Sequence, residues 1–148
     1  MSDLASRIAV LEDLAAIRDL VARYGPLADA GDAAGAAALW TEDGIYDVGG
    51  FGIFRGRAAI AGLLEGEAHQ ALLAQGVAHV MNPPVIDLDG DHADAISYSC
   101  VLRHDAGAWH PHRVSANRWT LVRTAAGWRI GARVNRLLDG DAAARALF

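Results

Sequence analysis

A single cysteine, Cys100, occurs in the chain, so no disulfide can close within it, and this usage fits a reducing compartment. Apolar residues never run on for the ~20 positions that a membrane-spanning helix needs. Cationic blocks are absent as well. The 13 basic residues are scattered among 18 acidic ones, for a net charge of −5. That pattern argues against a nucleic-acid surface and against binding to an anionic membrane. The opening Met-Ser-Asp-Leu has no basic stretch leading into an apolar run, so a cytoplasmic chain without a signal peptide is expected. Gly-x-Gly-x-x-Gly, Walker, Gly-x-Ser-x-Gly and Cys-x-x-Cys patterns are all missing. Nucleotide cofactors, serine-hydrolase chemistry and structural zinc therefore lose support, and neither a metal nor an organic cofactor is expected.

What is present reads as a packed globule of one domain, residues 1–148, with 53% hydrophobic and 21% charged residues. Ile8, Leu11, Leu14, Ala15, Ile17, Val21 and Tyr24 recur at helical spacing, with Ser2 or Asp3 as a cap. Pro26 predicts a kink or a turn just before it, Gly31 a stop, and Asp32 the cap of a short second helix reaching Trp40. Short strands are expected near Gly44–Val48 and Gly52–Arg55, then a helix over Arg57–Ala74. Four longer strands follow, near Val77–Leu88, Ala93–His104, His112–Arg123 and Trp128–Leu138, with a closing helix at Asp141–Leu147. The order implies an α+β fold in which three N-terminal helices pack in a strongly curved mixed or antiparallel sheet around a cavity.

Several polar residues interrupt these apolar patterns. Asp29 ends the first helix, five residues after Tyr24, and is either a turn residue or a buried carboxylate. His79 lies within an apolar strand, as a satisfied core histidine or, opposite a carboxylate in a dry cavity, as a proton carrier. Strand alternation puts Tyr98, Cys100, Leu102 and His104 on one face, and Asn117, Trp119 and Leu121 on one face of the next strand. Asn117 among Trp and Leu needs a partner, either backbone or a ligand oxygen. His110 and His112 lie on one side of an extended segment but have no third ligand at metal-binding spacing.

Taken together, Ile17-Arg-Asp-Leu-Val-Ala-Arg-Tyr24, Ala28-Asp-Ala-Gly-Asp32, Leu39-Trp-Thr-Glu-Asp-Gly-Ile-Tyr-Asp47, Phe54-Arg-Gly-Arg57, Ser115-Ala-Asn-Arg-Trp119 and Gly127-Trp-Arg-Ile130 carry a family resemblance. Over nearly its whole length the chain resembles the polyketide-cyclase-like (SnoaL-like) branch of the nuclear transport factor 2-like superfamily. That resemblance implies a cone-shaped α+β barrel around a pocket. In its polar residues the chain looks most like scytalone dehydratase and bile acid 7α-dehydratase.

By that likeness Asp29 matches the aspartate that holds a catalytic histidine, His79 matches that histidine, and Tyr24 matches a catalytic tyrosine. Asn117 matches a substrate-contacting asparagine, and His104 falls near a further pocket histidine or aspartate. From their strand positions Tyr46, Tyr98 and Trp119 are expected as further substrate contacts. The position beside Asp29 is Ala28, which departs from the tyrosine pair of scytalone dehydratase and disfavours a scytalone substrate. The Asp–Arg–Asp set of limonene epoxide hydrolase is not evident.

The resemblance implies a cofactor-independent lyase or isomerase that eliminates water from, or moves a proton on, a hydrophobic cyclic carbonyl compound. It also implies a homo-oligomer, trimer or dimer. Two rivals share the fold: a non-catalytic small-molecule-binding protein, and a structural small subunit of a ring-hydroxylating dioxygenase.

Overall fold

In the computed structural model, residues 3–148 are described, and the cap candidate Ser2 lies outside them. Helix α1 spans Leu4–Asp29 from Asp3, whose side chain makes no capping hydrogen bond. Pro26 sits inside α1 rather than ending it. One lost ladder donor is outweighed by packing on both sides, where Tyr24, Gly25 and Ala28 are all buried. The stop comes instead at Gly31, which takes the left-handed conformation. The apolar stripe of α1 is buried only from Ile17 onward, since Ile8 and Leu11 are 46% and 64% exposed.

Asp32 caps α2 (Ala33–Ala37) through a 2.8 Å bond from the Gly35 N–H. This helix ends before Trp40, which opens strand β1 (Trp40–Val48) and is fully buried. After β2 (Gly52–Arg55), the helical stretch expected to be continuous is two helices, α3 (Arg57–Glu65) and α4 (Glu67–Gln75). Gly66 breaks them apart by taking an extended conformation. Four helices, not three, therefore precede the large strands.

The strand expected over 77–88 is likewise two, β3 (Val77–Met81) and β4 (Val85–Asp89). Pro83 and Pro84 between them have no N–H to give a ladder. Strands β5 (His92–Asp105), β6 (Ala108–Thr124) and β7 (Gly127–Leu137) form the meander, and α5 (Ala142–Arg145) follows. The β5–β6 turn is only Ala106-Gly107, both at positive φ, so pairing continues four residues further into β6 than the expected start at His112.

The sheet order is β2-β1-β7-β6-β5-β3, with β4 beside β3 along the same edge of β5. β1 pairs with β7 in parallel and the other pairs are antiparallel, so the sheet is mixed. It is curved and unclosed, with the helices packed against it. Among the described residues no helix is long and apolar enough to cross a membrane.

Register places two rows of residues on the helix-facing side. Tyr46, Arg133, Trp119 and Ala95 are neighbours across β1, β7, β6 and β5, and so are Val48, Asn135, Asn117 and Ser97. All eight are buried.

Candidate active site

Between these rows and helices α3 and α4 lies a cavity of about 350 Å³, enough for a small ring compound. Leu63, Leu64, Leu72, Met81 and Val101 make its apolar wall, and Phe51 and His112 stand at its margin. Tyr24, Tyr46, His69, His79, Arg113 and Arg133 bring the polar chemistry.

Glycine at position 25 allows α1 to reach β3. A Cβ there would stand 2.3 Å from the His79 carbonyl oxygen, closer than side chains approach backbone. One turn further on, Asp29 meets the same residue at two points. Its Oδ2 accepts the His79 backbone N–H at 2.8 Å, and its Oδ1 accepts from His79 Nδ1 at 2.6 Å. Both carboxylate oxygens are thus committed to one residue, which fixes the ring's orientation and puts its proton on Nδ1. A lone pair on this ring, which lines the cavity, is then one on Nε2. The two side chains keep only 14% and 25% of their exposure.

Tyr24 packs edge-on against His79 with ring centroids 6.1 Å apart, and against Trp40 and Tyr46 at 5.9 and 6.1 Å. Burial, reinforced by the adjacent Tyr46, pushes the Tyr24 hydroxyl far above the ordinary phenol range, so it keeps its proton and can donate a hydrogen bond. His69, buried on α4, lies 5.5 Å from the His79 ring. Its Nε2 donates to the Ala28 carbonyl at 3.0 Å, and burial holds its pKa below the usual histidine value. His69 is therefore neutral near pH 7.

The structure brings Tyr24, Asp29, Tyr46 and His79 together, and it corrects the other expected contacts. Asn117 is fully buried behind the cavity wall, where its Oδ1 accepts from Arg133 and Asn135 and its Nδ2 donates to Ser99 Oγ at 3.0 Å. It positions wall residues rather than touching the cavity. Trp119 is buried at the same depth, its indole N–H on Ser97 Oγ at 2.9 Å. Tyr98 faces away: pleating gives the inward side of β5 to Ser97, Ser99 and Val101, leaving Tyr98 52% exposed against Phe148. His104 stacks on Trp109 at 5.3 Å, outside the cavity. His110 and His112 do not act as a pair, because a bulge after Val101 leaves His112 without a ladder partner. No group of three or more His, Cys, Asp or Glu residues among those described could hold a metal.

Three cavity residues escaped the sequence reading. His69 was hidden on a helix judged by its leucines, although it lies three residues before Leu72. Arg133 was hidden by a bulge: Leu121 pairs with Ile130 but Thr120 with Ala132, so Gly131 resets the alternation and turns Arg133 inward. The glycine in mid-strand was the available signal. Arg113 needs no bulge: plain alternation puts it on the face of Asn117 and Trp119, opposite Val101.

No protein with a curated description matches the chain. Among solved structures, an NTF2-like protein with a cystatin-like fold from Novosphingobium aromaticivorans is 54% identical, with a TM-score of 0.97 over 100% of this chain and 98% of that one. A protein from Catenulispora acidiphila, solved in complex with S-DNPA, is 25% identical, with a TM-score of 0.74 over 87% and 94% of the two chains. A second Novosphingobium aromaticivorans protein, provisionally assigned as a scytalone dehydratase, is 20% identical, with a TM-score of 0.71 over 86% and 85%, a likeness of fold alone. The profile of the SnoaL-like domain matches residues 9–134, most of the sheet and the whole of the Tyr24–Asp29–His79 constellation. The chain belongs to the SnoaL-like domain family.

Proposed function

We propose that this pocket is the active site of a cofactor-independent lyase or isomerase acting on a hydrophobic cyclic carbonyl compound. The observation that carries the reading is the two-point contact of Asp29 with His79, which orients an imidazole lining a mostly apolar cavity and leaves Nε2 as the atom that can act as base. Nε2 removes the proton α to the carbonyl, and the electron pair moves onto the carbonyl oxygen. The Tyr24 hydroxyl, held protonated by burial, donates to the enolate as charge develops there. In the dehydratase reaction the enolate then collapses to a conjugated double bond and expels the β-hydroxyl. His79 returns its proton to that leaving group, which departs as water. In an isomerase the same proton goes back to a different carbon. Acid–base transfer of this kind contributes about 10²–10⁴-fold.

Support comes from the apolar wall, which suits a ring system, and from the similar Catenulispora protein solved in complex with S-DNPA. A homo-oligomer is part of the proposal. Leu4, Ile8 and Leu11, at 66%, 46% and 64% exposure, line one side of the first turns of α1 as a stripe that a second copy would cover. Analytical ultracentrifugation of the wild type and of a Leu4→Glu, Leu11→Glu variant tests that element.

The catalytic reading is tested by incubating the protein with a panel of cyclic β-hydroxy ketones and following enone absorbance. The expected result is turnover by the wild type that is lost in Asp29→Asn and in His79→Ala, with both variants folded. Turnover persisting in both would overturn the mechanism, and tight binding of the same compounds without any product would favour a binding protein.

A further inference from the structure

Arg133 is only 2% exposed, yet it has no carboxylate partner among the described residues. Its Nε and Nη2 both donate to Asn117 Oδ1, at 3.0 and 2.8 Å, and its Nη1 is buried with no hydrogen-bond partner among the described residues. The guanidinium is stacked among the rings of Trp119, Tyr24 and Tyr46, 4.3, 4.5 and 4.7 Å from its carbon. Those faces offset part of the cost of burying a cation but bring no countercharge.

Other half-buried arginines meet carboxylates, Arg136 with Asp47 and Arg123 with Asp13 and Asp91. The two cavity arginines do not. Arg113, the second cavity arginine, is spent on neutral acceptors, the Gly49 carbonyl and Asn135 Oδ1, and likewise has no acid partner. Asp29, the carboxylate beside the cavity, has both oxygens on His79. An amide at position 117 fixes the guanidinium in place without neutralising it, and Asn135 Nδ2, donating to the same oxygen at 3.0 Å, tightens that hold. A cavity-lining residue with its full charge and one buried donor unspent is built for a partner that arrives from outside.

We propose that the ligand of this pocket carries an anionic oxygen, which pairs with Nη1 of Arg133. The inference rests on the pocket being the substrate site and narrows the substrate class. The molecule is a hydrophobic ring compound with either a carboxylate of its own or an acidic enol or phenol. Tyr24 separates Arg133 from His79, with its ring against both, so the anion lies across the cavity from the base. It therefore orients the ring instead of being attacked.

The test is a binding equilibrium that needs no turnover. Calorimetric titration compares 2-naphthoate with its neutral isostere 2-naphthamide. The wild type is expected to prefer the carboxylate by about ten- to a hundredfold, the range of a charge-assisted hydrogen bond. Arg133→Gln abolishes the preference. Because that variant removes a core side chain, Asn117→Asp serves as the second: it keeps the shape and neutralises the guanidinium from behind, and the preference should vanish there too. His79→Ala should retain it, which separates this inference from the catalytic one. A second probe, 4-nitrophenol, distinguishes the two sources of the anion. Binding as the coloured phenolate points to an enol-type oxygen, and binding as the neutral phenol beside a firm naphthoate preference points to a carboxylate. Equal affinity for 2-naphthoate and 2-naphthamide in the wild type, or an undiminished preference in Asn117→Asp, would overturn the proposal.

Discussion

Replacing Gly25 with alanine isolates the contact on which the site is built. The added Cβ would stand 2.3 Å from the His79 carbonyl oxygen, whereas real Cβ contacts essentially never fall under 3.0 Å. The obstacle is backbone and cannot rotate away, so β3 must retreat from α1. The Asp29 bonds to the His79 backbone and ring, now 2.8 and 2.6 Å, lengthen with it. Overpacking of this kind costs about 1–3 kcal/mol, a fall in Tm of about 3–10 °C for a chain of this size. Gly62 provides the contrast. It lies in α3, and nothing stands within 4 Å of its would-be Cβ. There the same substitution removes only glycine's helix penalty and should raise Tm by about 2–4 °C. Thermal denaturation of both variants by circular dichroism, with an imidazole NMR spectrum of Gly25→Ala, is the assay. An unchanged or raised Tm in Gly25→Ala would refute the close approach of α1 to β3.

Other outcomes follow from the same geometry. Tyr24→Phe keeps the ring packing and removes the donor, so kcat should fall by about a hundredfold with KM little changed; steady-state kinetics on an active β-hydroxy ketone decide it. His69 has a folded pKa below its unfolded value of ~6.5, so the unfolded chain takes up the proton first as pH falls. Its contribution is intact above that value and lost on acidification toward the depressed one. His69→Gln, which preserves a donor to the Ala28 carbonyl, should flatten the fall in Tm between neutral and mildly acidic pH.

Much of this architecture was legible from pattern and punctuation. Asp32 and Gly31 mark the α1–α2 junction where they should, and the last three strands follow the period-two apolar alternation. Glycine and proline were read less well where tertiary packing overrides them. Pro26 is held inside a helix, and Gly66 splits one. For the site, the family likeness pointed to Tyr24, Asp29 and His79, and the fold brings these and Tyr46 together. Simple alternation failed wherever a bulge intervenes. It leaves Arg133 facing out, when Gly131 turns it in, and nothing in the spacing separates Tyr98 on the outer face from Ser97 and Ser99 on the inner one. Asn117 was legible as a buried amide needing partners, but those partners, Arg133, Asn135 and Ser99, belong to its own wall.

The central claim is that Asp29 poises His79 Nε2 as a base beside a carbonyl. Proton exchange measures this directly: a cyclic ketone such as 2-tetralone in D2O, with deuterium incorporation at its α-carbons followed by NMR. The wild type should catalyse exchange, and His79→Ala should abolish it. It should fall by orders of magnitude in Asn-substituted Asp29, because an amide donating to Nδ1 would force the proton onto Nε2. Exchange at wild-type rates in Asp29→Asn would contradict it.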